Sequence, residues 1–215
     1  MKDFFEMSWG WLSAILIFVS GLPYMWAIYK RELKRPVVST WCLWIVIGVL
    51  FFMTSRKAGA DWSTTLFPIL MGVINPAIIV ALSLRYGEYK WTRTDTACVI
   101  VCITTLIVWQ ATQSPVLGIL GGVIADVIAA YPQLIKNWQD PKDEPVFPWA
   151  MFTIGSAVNI LAVKEWKIDY WLFPAYMTAM GVMLTTPLVL YRLKSKELQE
   201  AWESIDKDAR DRHFW

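Results

Sequence analysis

The sequence predicts an all-α integral membrane protein of seven transmembrane helices, arranged as two parallel three-helix repeats joined by a linker helix. Three observations carry that prediction: an apolar composition, seven apolar stretches of about spanning length, and a weak self-match at a fixed offset. Hydrophobic residues make up 56 % of the 215 and charged residues 18 %, with a mean hydropathy of +0.42. Soluble domains run near roughly 45–50 % and about 25 %. Aromatics reach 15 %, with 14 Trp, more apolar surface than a soluble domain of this length can hide. A net charge of +2 leaves no nucleic-acid footprint. Three Cys and one His supply neither a metal cage nor a disulfide scaffold, and no cofactor is expected.

A helix crossing about 30 Å of hydrocarbon needs roughly 17–25 mostly apolar residues. The first stretch is 8–29. Asp3 and Glu6 precede it, it exceeds an h-region in length, and no small-residue cleavage site follows, so it reads as a span and not a cleaved signal. The others are 38–55, 62–84, 96–111, 115–135, 146–163 and 171–191, with only Thr112 to Ser114 between the fourth and fifth. Asp126 is the one charged residue that falls inside any of them. Lys and Arg crowd the loops after the first, third and fifth stretches and the tail, leaving Lys2, Arg56, Lys57, Lys164 and Lys167 on the other side. The positive-inside rule then puts the N-terminus outside and the tail in the cytoplasm, in a plasma or inner membrane.

Slid against itself by 109 residues without a gap, the chain matches Pro23 to Pro132, Pro36 to Pro145, Trp62 to Trp171, and Met71-Gly72-Val73 to Met180-Gly181-Val182. The units are therefore 8–84 and 115–191, with 96–111 as a linker that contains neither Pro nor Gly, and 193–215 as a tail. An odd connector restores the starting orientation, so the repeats are parallel and related by an axis along the membrane normal, with a cavity between them near mid-membrane. Interior prolines occur in the first, third, fifth and seventh spans: Pro23, Pro68, Pro76, Pro132, Pro174 and Pro187. Each removes a helix hydrogen bond and bends its helix. Pro23 and Pro132, at equivalent places in the two first helices, are candidate hinges; static kinks are the alternative.

Ala130-Tyr131-Pro132-Gln133-Leu134-Ile135-Lys136-Asn137, followed by Pro145, resembles the PQ-loop signature, and Gly21-Leu22-Pro23-Tyr24 resembles it with Tyr24 in place of Gln. With two repeats and a linker helix, residues 10–192 resemble the PQ-loop/SWEET-type transporter superfamily. The resemblance implies alternating access, with Pro23, Pro132 and Gln133 as hinge residues and a small polar solute (sugar, amino acid or vitamin-like) as cargo, in some members coupled to protons. Sugar carriers of this type bind substrate through an Asn in the third helix, which Asn75 matches. Its counterpart in the seventh helix is Leu184 here, beside Thr185 and Thr186, which leaves the solute class open.

Polar groups in lipid usually face an interior. Asn75, Asn159 and Thr186 are accordingly candidate solute contacts, with an interhelical hydrogen bond as the plain alternative. Trp44, then Trp41 and Trp149, are candidate platforms for a ring-shaped solute, against the alternative of an interfacial belt. Trp9, Trp11, Trp62, Trp91, Trp166 and Trp171, near span ends, read as that belt. Asp126 lies six residues before Pro132, about 9 Å deeper along the helix. A charged Asp there must find water, a partner or a proton. Asp126 is thus the candidate for a coupling proton or a cationic solute, or else a structural clamp.

No Lys in 171–191 supports a retinal Schiff base, and no paired carboxylates or nucleophile motif supports an intramembrane enzyme. A non-transporting receptor or accessory subunit on the same fold is the second functional class. Leu198, Trp202, Ile205 and Ala209 give the tail one apolar face, suited to the lipid interface, to a second copy of the chain or to a partner protein.

Overall fold

The computed structural model describes residues 2–33, 36–57, 59, 65, 69–87, 93–112, 114–142, 144–163 and 165–212. Among them every regular element is helical: α1 (Lys2–Tyr29), α2 (Val38–Lys57), α3 (Asn75–Tyr86, entered through the π-helical turn Leu70–Ile74), α4 (Arg93–Thr112), α5 (Pro115–Gln139), α6 (Val146–Ile160) and α7 (Ile168–Arg212). Trp62, Pro68, Trp91 and residues 213–215 lie outside the described residues, as do the side chains of Cys98, Cys102, Trp109, Leu198, Trp202, Ile205 and Ala209.

Several boundaries differ from those read in the sequence. Helix α6 stops at Ile160 in a turn rather than at 163. Helix α7 does not end at 191 but continues through the charged tail to Arg212, because nothing from Leu193 onward is a Pro or Gly that would break it. Helix α5 begins where Ser114 caps Leu117 N–H and Pro115 occupies the first helical position, and it runs four residues past 135.

The burial pattern is that of a protein solvated by lipid. Ser13, Ser20, Thr40, Asn75, Asp126, Gln133, Asn137, Ser156 and Asn159 are buried, while Trp26, Leu84, Ile100, Ile107 and Ile124 are exposed. Water would reverse that arrangement; hydrocarbon makes it favourable. Among the described residues, three segments are long and apolar enough to cross a membrane: Ser8–Tyr29, Val38–Lys57 and Tyr170–Glu197. Leu70–Tyr86 and Val146–Ile160 are shorter apolar helices.

The packing is the same in both halves. Helix α3 packs against α1 and α2, and α7 packs against α5 and α6. Between the halves, α1 meets α6 and α2 meets α5, while α4 lies against α5 and α2. A hydroxyl ties each cross-contact: Ser13 Oγ donates to Gly155 O and Thr40 Oγ1 to Ala129 O, both at 2.8 Å. The repeated Met-Gly-Val triplet has a physical reason. Gly72 lets α3 touch α2 backbone to backbone at Gly48, where an added Cβ would stand 2.5 Å from main-chain atoms. Gly181 lets α7 come close to α6 at Thr153, where an added Cβ would meet the hydroxyl at 2.7 Å and the main chain at 3.0 Å.

Candidate functional site

Four helices converge on an aromatic cavity. Helix α1 contributes Tyr24, α2 contributes Trp41 and Trp44, α3 contributes Asn75, and α6 contributes Trp149 and Phe152. Its free volume, about 40 Å³, is room for roughly three waters. The rings stand on one another: Trp41 and Trp44 are perpendicular at 4.7 Å between centroids, and Trp41 and Trp149 are 27° from parallel at 5.9 Å. Tyr24 leans on Trp41 at 5.0 Å, and Phe152 meets Trp149 edge-on.

Sequence periodicity explains why the rings meet. Trp41 and Trp44 are three apart on one face of α2, and Trp149 and Phe152 are three apart on one face of α6. Each pair follows a proline, Pro36 or Pro145, that ends the preceding loop. Trp41 and Trp149 therefore play equivalent parts in the two repeats. The gap-free offset hides this, since it sets Trp149 against Thr40; one residue fewer between Pro145 and Trp149 shifts the register.

Asn75 sits at the join between the π turn and α3. Pro76 has no N–H, and Asn75 N–H bonds Leu70 O five residues back, so the helix changes hydrogen-bond register at the cavity. The side-chain Nδ2 donates to Ile17 O at 2.8 Å, and Gly21 makes room for the amide. Its Oδ1 is buried with no partner among the described residues, as are the Tyr24 hydroxyl and the indole N–H groups of Trp41 and Trp44. Buried polar atoms left unpaired are costly and uncommon. Four around one small cavity mark a place built to receive polar groups.

Asp126 of α5 lies behind Trp44, which borders both the aromatic cavity and a smaller one shared with Asp126, Phe51 and Phe173. It is 2 % exposed, and Tyr176 of α7 donates to its Oδ2 at 2.6 Å. The Trp44 N–H, which has no hydrogen-bond partner among the described residues, belongs to a ring that shares this small cavity with the Asp126 carboxyl.

The other candidates lie elsewhere. Thr186 returns its hydroxyl to Val182 O of its own helix and does not line the cavity. Thr185, beside it, pairs with Thr153 instead. Asn159 is buried on α6 two turns beyond Phe152, with Oδ1 unpartnered, and is also absent from the lining. Gln133 donates to Asn137 Oδ1 at 2.8 Å, and Asn137 donates to Leu184 O, so the Pro-Gln residue ties α5 to α7. Pro23 lies inside α1 one residue before Tyr24, and Pro132 inside α5 one residue before Gln133.

Sequence reasoning missed Glu144. The loop before Pro145 suggests a solvated carboxylate, yet its side chain is fully buried. Lys136 Nζ pairs with Oε1 at 2.5 Å, Trp149 Nε1 donates to Oε2 at 3.3 Å, and Arg192 Nη2 donates to the main-chain oxygen at 3.2 Å. Only the eight-residue spacing from Lys136 hints at the pair. The end of α5 and the cavity wall are thereby joined through the Glu144 side chain, and α7 is tied to the loop through the Glu144 main chain.

No protein-family model, curated protein or solved structure matches the chain.

Proposed function

We propose that the chain is a seven-span carrier that moves a small polar solute by alternating access, with its N-terminus outside and its tail in the cytoplasm. The observation that carries this reading is the aromatic cavity at the seam between the two triplets, ringed by buried polar atoms without partners among the described residues. Contacts within each triplet are matched, and the seam is crossed by α1 with α6 and α2 with α5. Parting at that seam opens the cavity to one side or the other. Tyr24, Trp41, Trp44, Asn75 and Trp149 are the solute contacts in this reading, and Thr186 and Asn159 are not. The resemblance of Pro132-Gln133 and its surroundings to PQ-loop carriers supports the same assignment.

Asp126 serves as the proton site. Its carboxyl is buried, it accepts the Tyr176 hydroxyl, and Trp44 and Met71 separate it from the aromatic cavity. A proton there and a solute in front of Trp44 then influence one another through a shared wall.

Purified protein in liposomes should give saturable uptake of at least one solute in a panel of sugars, amino acids, organic cations and vitamins. An inward proton gradient should drive accumulation, and Asp126→Asn should leave only equilibration. Saturable uptake with unaltered accumulation in Asp126→Asn makes Asp126 structural. No uptake of any solute, with tight co-purification of a larger complex, makes the protein an accessory subunit.

A further inference from the structure

The lining chemistry of the aromatic cavity is selective, and it is selective for charge. Among the described residues no Lys or Arg lines it, so a carboxylate or phosphate would enter without a counter-ion. Trp149 gives its N–H to the Glu144 carboxylate, while the Trp41 and Trp44 N–H groups have no hydrogen-bond partner among the described residues. The electron-poor edge of Trp149 is thus taken up by a carboxylate. Ring surface, whose faces are the negative end of the aromatic quadrupole, makes up most of what the cavity offers a guest.

The charged groups behind the rings act in the same direction. Asp126 stands behind Trp44, and Glu144 stands behind Trp149 with Lys136 on its other oxygen. A carboxylate accepting an indole N–H makes that indole more electron-rich. Trp44 is near-perpendicular to Trp41 at 87° and steeply inclined to Trp149 at 68°, so the walls close on a guest from different directions. Rings in a desolvated cage, a free amide oxygen and carboxyl groups behind the rings all complement one kind of charge.

Resting on the carrier reading above, we propose that the cargo is a small organic monocation, a quaternary-ammonium or pyridinium head group held in the box of Tyr24, Trp41, Trp44 and Trp149. Glu144 sets the electrostatics of that box from behind Trp149 without touching the cargo.

The test uses full-length protein in detergent and in liposomes, with choline, tetramethylammonium and N-methylpyridinium as probes. The neutral isostere of choline, 3,3-dimethylbutan-1-ol, is the control, with glucose, alanine and lactate as non-cationic solutes. Quenching of tryptophan fluorescence should saturate with at least one cation, and choline should bind roughly tenfold or more tightly than its neutral isostere. Trp149→Leu should collapse that ratio toward one. Glu144→Gln, which keeps an acceptor for the indole, should lower it severalfold while leaving the circular dichroism spectrum unchanged. If Glu144→Gln does not fold, the ratio in Trp149→Leu alone decides. Binding of the isostere as tight as that of choline overturns the proposal. So does saturable uptake of glucose, alanine or lactate with all three cations inert, and in that case the carrier reading stands. No binding and no uptake of any probe overturns both.

Discussion

The two triplets share a scaffold and divide the chemistry. At three equivalent positions the two triplets carry side chains of different character. Asn75 of the first answers to Leu184 of the second, Asp126 of the second answers to Ile17 of the first, and Tyr24 answers to Gln133. Every one of these six side chains is buried. The apolar partners still serve as acceptors through their backbones: Ile17 O takes the Asn75 amide, and Leu184 O takes the Asn137 amide. The packing positions thus match between the triplets, while the polar groups differ: the cavity polar groups fall on the first triplet and α6, and the buried carboxyl on α5. On the proposed carrier reading, a proton and a solute held on opposite sides of Trp44 need no symmetry between them.

That division can be broken most severely where the scaffold is tightest. Gly72→Ala should be the largest effect, because its Cβ would stand 2.5 Å from the Gly48 backbone, and backbone does not swing aside. Overpacking of this kind costs about 1–3 kcal/mol and occasionally more. The equivalent Gly181→Ala meets the Thr153 hydroxyl at 2.7 Å, a side chain that has room to rotate, although the Thr153 backbone at 3.0 Å limits the relief. Thermal unfolding in detergent should show a large fall in Tm for Gly72→Ala and a smaller one for Gly181→Ala. Equal losses would mean that the Thr153 side chain gives no relief and that both contacts are as rigid as backbone on backbone.

The apolar helices were legible because lipid demands apolar runs, and among the described residues three of them are long and apolar enough to cross a membrane. The matched packing of the triplets was foreshadowed by Met-Gly-Val and the paired prolines, since both are backbone requirements. Side-chain placement was far less legible. Trp44, Asn75 and Trp149 were within reach because each is a large or polar group at depth, but Trp149 as the partner of Trp41 was masked by one missing residue after Pro145. Thr186 looked like a solute contact and instead satisfies itself at Val182 O, an option open to any helical Thr. Glu144 was invisible because a loop carboxylate is ordinarily solvated, and only the fold brings Lys136, Trp149 and Arg192 around it. The extension of α7 was missed because charge marks the edge of a membrane and does not terminate a helix.

A second substitution sharpens the polar asymmetry. Asn75→Leu makes the first triplet resemble the second at that position, removing the free amide oxygen from the cavity and the donor to Ile17 O. Solute affinity should fall roughly tenfold, the equivalent of one hydrogen bond lost in a desolvated site. The mirror change, Leu184→Asn, places an amide where the residue is fully buried and should cost about 1–3 kcal/mol of stability without altering affinity. Competition binding and thermal unfolding separate the two effects. A fall in affinity for Leu184→Asn would put the cargo on the second triplet and undo the division.

The smallest expected effect is at Tyr24, and it addresses why the first repeat departs from Pro-Gln. Gln133 ties α5 to α7 through Asn137, whereas Tyr24, at the equivalent position, lies in the cavity against Trp41 and Trp149. The gap-free offset sets Asn137 against Ile28 of the first repeat, a buried apolar residue, so a Gln at position 24 would find no matching amide there. Tyr24→Gln should therefore not create a second clamp. It removes one ring from the box, and solute affinity should fall about two- to fivefold, the scale of a single aromatic contact of ~0.5–1 kcal/mol. Tyr24→Phe keeps the ring and removes only the unpartnered hydroxyl, so it should bind solute nearly as the unaltered protein does. Isothermal titration of the three proteins ranks them directly. If Tyr24→Gln binds as tightly as the parent and Tyr24→Phe does not, the hydroxyl and not the ring is the contact, and the box is one wall smaller than its geometry implies.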